Sequence, residues 1–263
     1  MPKTILDNIL ETKRKELEAL RGSCTLEDLS KRAADARPVR NFYQAVTRDG
    51  RRPVRLIAEI KKASPSAGII REDFDPAALA RQYEQAGADA LSVLTDETYF
   101  RGSLDYLRTV SETVSLPILR KDFIIDPMQV YQARAVGADA VLLIAAALPT
   151  GMLSDLMILA AELKMTVLLE VHEADDLLRV RSMVGFPHRT YSLLGINNRD
   201  LKTFAVDIDT TLRLAELAGE GVPVVSESGI RTSDDVRKLA DGGLSAILVG
   251  ETFMRQPDIG QAV

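Results

Sequence analysis

The sequence holds one cysteine, Cys24, and two histidines, His172 and His188, among 263 residues. A lone thiol excludes an intramolecular disulfide and a cysteine metal cluster, and it suits a reducing compartment. The histidines stand apart, without the spacing of a ligand pair, so no metal site is expected. A basic surplus is missing too. Asp and Glu outnumber Lys and Arg by 38 to 33, for a net charge of −5, which argues against a nucleic-acid binder. The longest unbroken apolar run, Ala140–Leu148, falls far short of the ~20 residues that span a bilayer. The opening MPKTILDNILETKRKEL lacks the apolar stretch of a signal peptide, and no nucleophile-elbow or Walker pattern occurs. These absences leave a soluble, cytoplasmic protein with no membrane partner as the expectation.

What is present is a chain that is 46% hydrophobic, enough for a sizeable core. Closed α/β barrels reach about 250 residues as one domain, so residues 1–263 are read as a single domain. Residues 1–53 form a helical extension without strands. Apolar residues at helical spacing predict a helix over 4–21, ended by Gly22. Thr25-x-x-Asp28 has the form of a capping box and opens a second helix to about Ala34. Lys13-Arg14-Lys15 reads as a solvated face. A short helix is expected around Phe42–Val46, then a polar turn over Asp49–Arg52.

From Leu56 the chain acquires a beat. Strands are expected near 55–60, 90–94, 117–121, 139–144, 166–171, 191–196, 222–227 and 245–249. Asp75-Pro76 and Asp126-Pro127 start helices that Gly87 and Gly137 close, and Thr232 opens a later one. The phrases AGADALSVL and VGADAVLLI lie 50 residues apart, and GGLSAILVG follows 106 further on. That is a period of about 25 residues per βα unit. Eight continuously apolar strands alternating with helices imply a parallel sheet closed on itself, an α/β fold of the (β/α)8 TIM-barrel type with an N-terminal helical extension. An open doubly wound sheet would carry a glycine fingerprint after its first strand, where this chain has SPSAG.

In such a barrel the C-terminal strand ends share one mouth. Strand alternation puts Ile57, Glu59 and Lys61 on one face and Ala58, Ile60 and Lys62 on the other. Further strand ends supply Lys121, with Arg120 and Asp122 beside it, then Glu170, then Asn197, Asn198 and Arg199, then Glu227 and Ser228. Isolated charges there would be costly to bury, but lysines and glutamates together offset one another and tune each other's pKa. Ser228-Gly229 and Gly250-Glu251 follow the last two strands, where barrels commonly bind phosphate through backbone N–H groups. The Glu251 side chain has the wrong charge for that and is expected to face away. Phe100, Phe123, Leu142 and Leu201 lie near the mouth, where they either line an aromatic pocket or pack in the core.

Across nearly the whole chain, IAEIKKASPSAG, LTDETYFRGS, PILRKDFIID, GADAVLLIAA, LLEVH, LGINNRDL, VSESGI and LVGETFM resemble the indole-3-glycerol phosphate synthase family of tryptophan biosynthesis, in order and spacing. The final helix looks shorter than that family's. The resemblance implies a carboxy-lyase that closes the ring of 1-(2-carboxyphenylamino)-1-deoxy-D-ribulose 5-phosphate, losing carbon dioxide and water, with no cofactor. It implies Lys121 as general acid, Glu170 as general base, Lys61 oriented by Glu59 on the substrate carboxylate, and Asn197 and Glu227 as positioning groups. Arg199, Ser228, Gly229, Gly250 and Glu251 would surround the phosphate, with Ser64 and Ser66 on a lid loop. Phe100, Phe123, Leu142 and Leu201 would hold the anthranilate ring. The expected partner is a small molecule bearing phosphate and carboxylate, and the expected state a monomer or weak homo-oligomer. On the residues alone, another sugar-phosphate barrel enzyme, an isomerase or a Schiff-base aldolase, remains the alternative.

Overall fold

A computed structural model describes residues 3–47, 52–200 and 203–263. Eight strands form a closed, wholly parallel barrel. They are β1 (Arg55–Ile60), β2 (Ala90–Leu94), β3 (Ile118–Lys121), β4 (Ala140–Ile144), β5 (Thr166–Val171), β6 (Ser192–Asn197), β7 (Val224–Glu227) and β8 (Ala246–Val249). Each pairs with its neighbours in sequence, and β8 closes on β1 through Ile57 opposite Leu248. The strands are buried on both faces, as their unbroken apolar character requires. Ile57, Leu119, Leu168, Leu193 and Val225 fill the interior, while Ala58, Ile60, Val93, Val141 and Leu169 pack outward against the helices.

The helical extension works at both ends of the barrel. Helix α1 (Ile5–Ser23) begins in a capping box between Thr4 and Asp7. It runs through Gly22 rather than ending there, because a glycine in a helix costs only about 1 kcal/mol and the packed turns on either side supply more. Helix α2 (Leu26–Asp35) starts in the expected Thr25–Asp28 box and lies against α7 (Pro127–Ala135). Helix α3 (Phe42–Thr47) plugs the strand-start end: Phe42 and Val46 are fully buried with the interior residues, and Tyr43 N donates to Thr166 Oγ1 at the foot of β5. Arg37 Nη2 bonds Asp139 at 2.7 Å, fixing the chain between α2 and α3 below β4. Of the expected polar turn, residues 49–51 lie outside the described residues.

Further helices follow the strands, among them α6 (Leu104–Thr113), α9 (Ala174–Val180) and α10 (Asp209–Ala218). Asp75 and Asp126 cap α4 (Pro76–Gln85) and α7 with proline inside the first turn, and Thr232 caps α11 (Ser233–Asp241) with Asp235. Gly87 and Gly137 leave α4 and α7 at φ of +87° and +92°. The last unit holds two four-residue helices, α12 (Glu251–Met254) and α13 (Ile259–Ala262). Their brevity does not open the barrel, because β8 is paired on both sides. Among the described residues no helix is long and apolar enough to cross a membrane.

Candidate active site

The strand ends surround a cavity of about 570 Å³. Sixteen of the seventeen residues expected there line it: Glu59, Lys61, Ser64, Ser66, Phe100, Lys121, Phe123, Leu142, Glu170, Asn197, Arg199, Glu227, Ser228, Gly229, Gly250 and Glu251. The seventeenth, Leu201, lies outside the described residues. The grouping follows from strand periodicity, since inward positions of β1, β3, β5 and β7 end in Glu59, Lys121, Glu170 and Glu227.

Lys121 Nζ lies 2.8 Å from Glu170 Oε2 and 3.1 Å from Glu227 Oε2. His172 Nε2 approaches the other oxygen of Glu170 at 3.3 Å. Lys61 and Glu59 form a separate pair at 2.6 Å. Burial works against the Lys121 ammonium, but the carboxylates of Glu170, Glu227 and Glu59 outweigh it and hold Lys121 above the usual lysine range. The two glutamates diverge. Burial pushes Glu170 up, yet Lys121 and His172 overcome this and hold it low. Burial pushes Glu227 up, and although Lys121 opposes this, Glu170 adds to it and the net shift is upward. Two carboxyls with opposed shifts around one ammonium can divide acid and base work between them.

At one side of the cavity the rings of Phe100 and Phe123 stand 6.1 Å apart, inclined at 37°. Phe100 ends the short helix α5 (Glu97–Phe100), and Leu142 comes from β4. Elsewhere on the wall, Ser228 and Gly229 turn in succession through φ of +67° and +82°. Gly229 has a second constraint, because a Cβ there would meet Val206 Cγ1 at 2.2 Å. Consecutive left-handed residues aim neighbouring N–H groups together, which suits an anion. Asn197 Oδ1 accepts from Arg199 N at 3.1 Å. The Glu251 carboxylate bonds Arg255 at 2.8 Å on its own helical turn and is 3.9 Å from Arg199. Ser64 sits in a small hairpin after β1, Ala63–Ser64 against Gly68–Ile69, with its Oγ 3.4 Å from that of Ser66. Asn198, beside these groups in sequence, is turned into the structure, where it bonds Ser226, Ser228 and Thr211.

A model of the indole-3-glycerol phosphate synthase family matches residues 6–263. The chain belongs to the indole-3-glycerol phosphate synthase family. The indole-3-glycerol phosphate synthase of Neisseria gonorrhoeae (strain NCCP11945) is 53% identical over 262 residues, covering 98% of this chain and 97% of that one. The synthase of Rhodopirellula baltica is 50% identical over 256 residues, covering 97% and 96%. Among solved structures, an N-acetylmannosamine-6-phosphate 2-epimerase from Clostridium perfringens superposes with a TM-score of 0.59 at 14% identity, over 82% of this chain and 92% of that one. At that identity the likeness speaks for the barrel alone. The activity of the synthase family is that of a carboxy-lyase in tryptophan biosynthesis, and it is the activity of this chain.

Several residues of this synthase site were not named as site residues from the sequence. Ile5, Leu6 and Ile9 of α1 reach over the mouth and line the cavity. Lys13 corrects the expectation of a solvated basic face. It is only 2% exposed, and its Nζ lies 2.8 Å from Asp96 and 2.9 Å from Asp122, so α1 is moored to the ends of β2 and β3. Asp122 also bonds Arg120 at 2.9 Å, and those two cations outweigh the upward push of burial to hold its carboxyl below the usual range. The helical spacing of α1 shows its apolar face, but nothing in Lys-Arg-Lys tells which lysine turns inward. Gly195 and Gly250, in or after inward strand positions, leave room for carboxylates: a Cβ would lie 2.5 Å from Glu227 Oε1 at the first and 2.3 Å from Glu59 Oε2 at the second.

Proposed function

We propose that the cavity performs the ring closure with the roles that the charged strand ends suggest. Lys121 is the general acid that protonates the substrate's carbonyl oxygen as the aryl carbon attacks. A firmly held ammonium suits this step, because the developing alkoxide is a stronger base than any amine. Giving up that proton removes the cation that holds Glu170 low, so Glu170 becomes a competent base for the later dehydration. Lys61, oriented by Glu59, holds the substrate carboxylate and favours departure of the hydroxyl. Asn197 and Glu227 position hydroxyl and amine groups. The phosphate rests against the Ser228-Gly229 and Gly250-Glu251 backbone with Arg199. The Phe100 and Phe123 rings and Leu142 hold the anthranilate ring, as would Leu201, and the hairpin of Ser64 and Ser66 serves as a lid.

The carrying observation is the single ammonium between two carboxylates, at 2.8 and 3.1 Å, inside a cavity with both an aromatic wall and an anion-suited turn. We further read the chain as one domain, with residues 1–53 as its extension. It would act in the cytoplasm, as a monomer or weak homo-oligomer, on a small substrate bearing phosphate and carboxylate. The test is incubation of purified Lys121→Ala and Glu170→Gln variants with the carboxyphenylamino-deoxyribulose phosphate, followed by indole fluorescence. Each should lose at least ~10²-fold in turnover with an unchanged circular dichroism spectrum. Near-normal indole formation by either variant would refute its role.

A further inference from the structure

With the His172 imidazole, 3.3 Å from Glu170, counted as neutral, the Lys121 cluster does not balance. Lys121 brings one positive charge from β3, Glu170 one negative from β5, and Glu227 a second negative from β7. From β1, Glu59 is already paired with Lys61 at 2.6 Å and adds nothing to the balance. Both glutamate side chains are nearly inaccessible, at 3% and 2%. A surplus buried charge is expensive, and binding one proton removes it.

The surroundings decide where that proton rests. Glu170 has Lys121 on one oxygen and His172 near the other, so a proton on the imidazole would add a cation beside Glu170 but leave Glu227 an unpartnered buried carboxylate. Among the described residues, neither oxygen of Glu227 receives a well-directed hydrogen bond, the Lys121 contact being an ion-pair approach. The carboxyl groups of Glu170 and Glu227 flank the same Lys121 Nζ, at 2.8 and 3.1 Å, which brings them together. A proton on Glu227 therefore gives it a donor, gives Glu170 a further partner, and removes the surplus charge. Gly195 makes this arrangement sterically possible, since any larger residue on that part of β6 would intrude on Glu227 Oε1.

We propose that Glu227 is held as the neutral acid at neutral pH and supplies the proton for the departing hydroxyl, while its contact with Glu170 resets both groups. The proposal rests on the role of Glu170 given above, and it makes Glu227 the proton donor in the dehydration while the charge of Lys61 favours departure of the hydroxyl. After ring closure and loss of carbon dioxide, the carbinol C–O bond breaks. Its electron pair leaves on oxygen, which takes the proton of Glu227 and departs as water. The adjacent C–H bond breaks, its pair forms the ring double bond, and its proton passes to Glu170. Transfer of that proton from Glu170 to Glu227 restores both groups, so dehydration neither consumes nor releases a proton. The proton that Lys121 gave in ring closure is replaced from solvent. Gly195 is a positioning residue in this scheme.

The test separates the two halves of the reaction. In single turnover with excess enzyme, Glu227→Gln should slow the appearance of indole at least ~10²-fold more than it slows the release of carbon dioxide. Gly195→Ala, which keeps every ionisable group, should uncouple the two in the same direction. Infrared difference spectra of the wild-type enzyme at pH 7 should show a protonated-carboxyl C=O band that Glu227→Gln lacks. Loss of carbon dioxide release together with indole, wild-type indole formation in Glu227→Gln, or absence of that band would overturn the proposal. Wild-type enzyme that forms no indole at all would instead count against the underlying functional reading, and the infrared band stands apart from that outcome.

Discussion

At Gly250, where β8 gives way to α12, an added Cβ would lie 2.3 Å from Glu59 Oε2 and 2.9 Å from Glu59 Cβ. Contacts that short cannot be absorbed by a small torsion, because the carboxyl and the stem of Glu59 are both in the way. Gly250→Ala should therefore push Glu59 off Lys61 and lower kcat/KM by at least ~10-fold. Gly151, inside α8 (Thr150–Glu162) with nothing within 4 Å of its would-be Cβ, makes the matched control. Steady-state kinetics of both alanine variants checks the claim, and equal activity would remove the steric argument. The contrast also shows what a sequence conceals at this scale. Glu59, Lys121, Glu170 and Glu227 announce themselves as charges ending apolar strands. Gly195 and Gly250 do not, because a glycine written in or after a strand looks like a gap in the pattern, and only the neighbour across the barrel gives the gap a purpose.

Among the elements, α1 is the one expected over the mouth without any contact that would hold it there. Its amphipathic spacing was readable, since that is local, but its partner surface depends on residues 80 to 110 positions away. Lys13 makes that contact, with Asp96 after β2 and Asp122 after β3. Lys13→Met keeps the length of the side chain and removes the charge, leaving two buried carboxylates without their shared cation. The expected loss is about 3 kcal/mol of unfolding free energy at neutral pH, measured by urea denaturation. The gap between variant and wild type should narrow in acid. Asp122 is held low in the folded state, so its contribution is present above the unfolded carboxylate value of about 3.9 and fades as pH falls below it toward the folded value. A pH-independent gap, or none at neutral pH, would mean that Lys13 does not carry this mooring.

For the molecule as a whole, the beat of about 25 residues was enough to infer a closed barrel, because eight βα units of that length have few other ways to bury both faces of every strand. The resemblance to the synthase family then gave the roles, and closure brought sixteen of the named residues to one cavity. What periodicity could not give was the use of the extension, which has no strand to fix its register. It serves both ends of the barrel: α3 plugs the floor, and Ile5, Leu6 and Ile9 of α1 form part of the cavity wall. If the substrate's apolar portion lies against that wall, trimming it removes binding that is equal in ground and transition states. Leu6→Ala retains Lys13 and its ion pairs, so the mooring of α1 survives. It removes three carbons, worth about 1.5 kcal/mol when half of a leucine's burial is counted, and so should raise KM by roughly 10-fold with kcat within about threefold of wild type. A fall in kcat with KM unchanged would show instead that α1 bears on the chemistry and not on the holding of substrate.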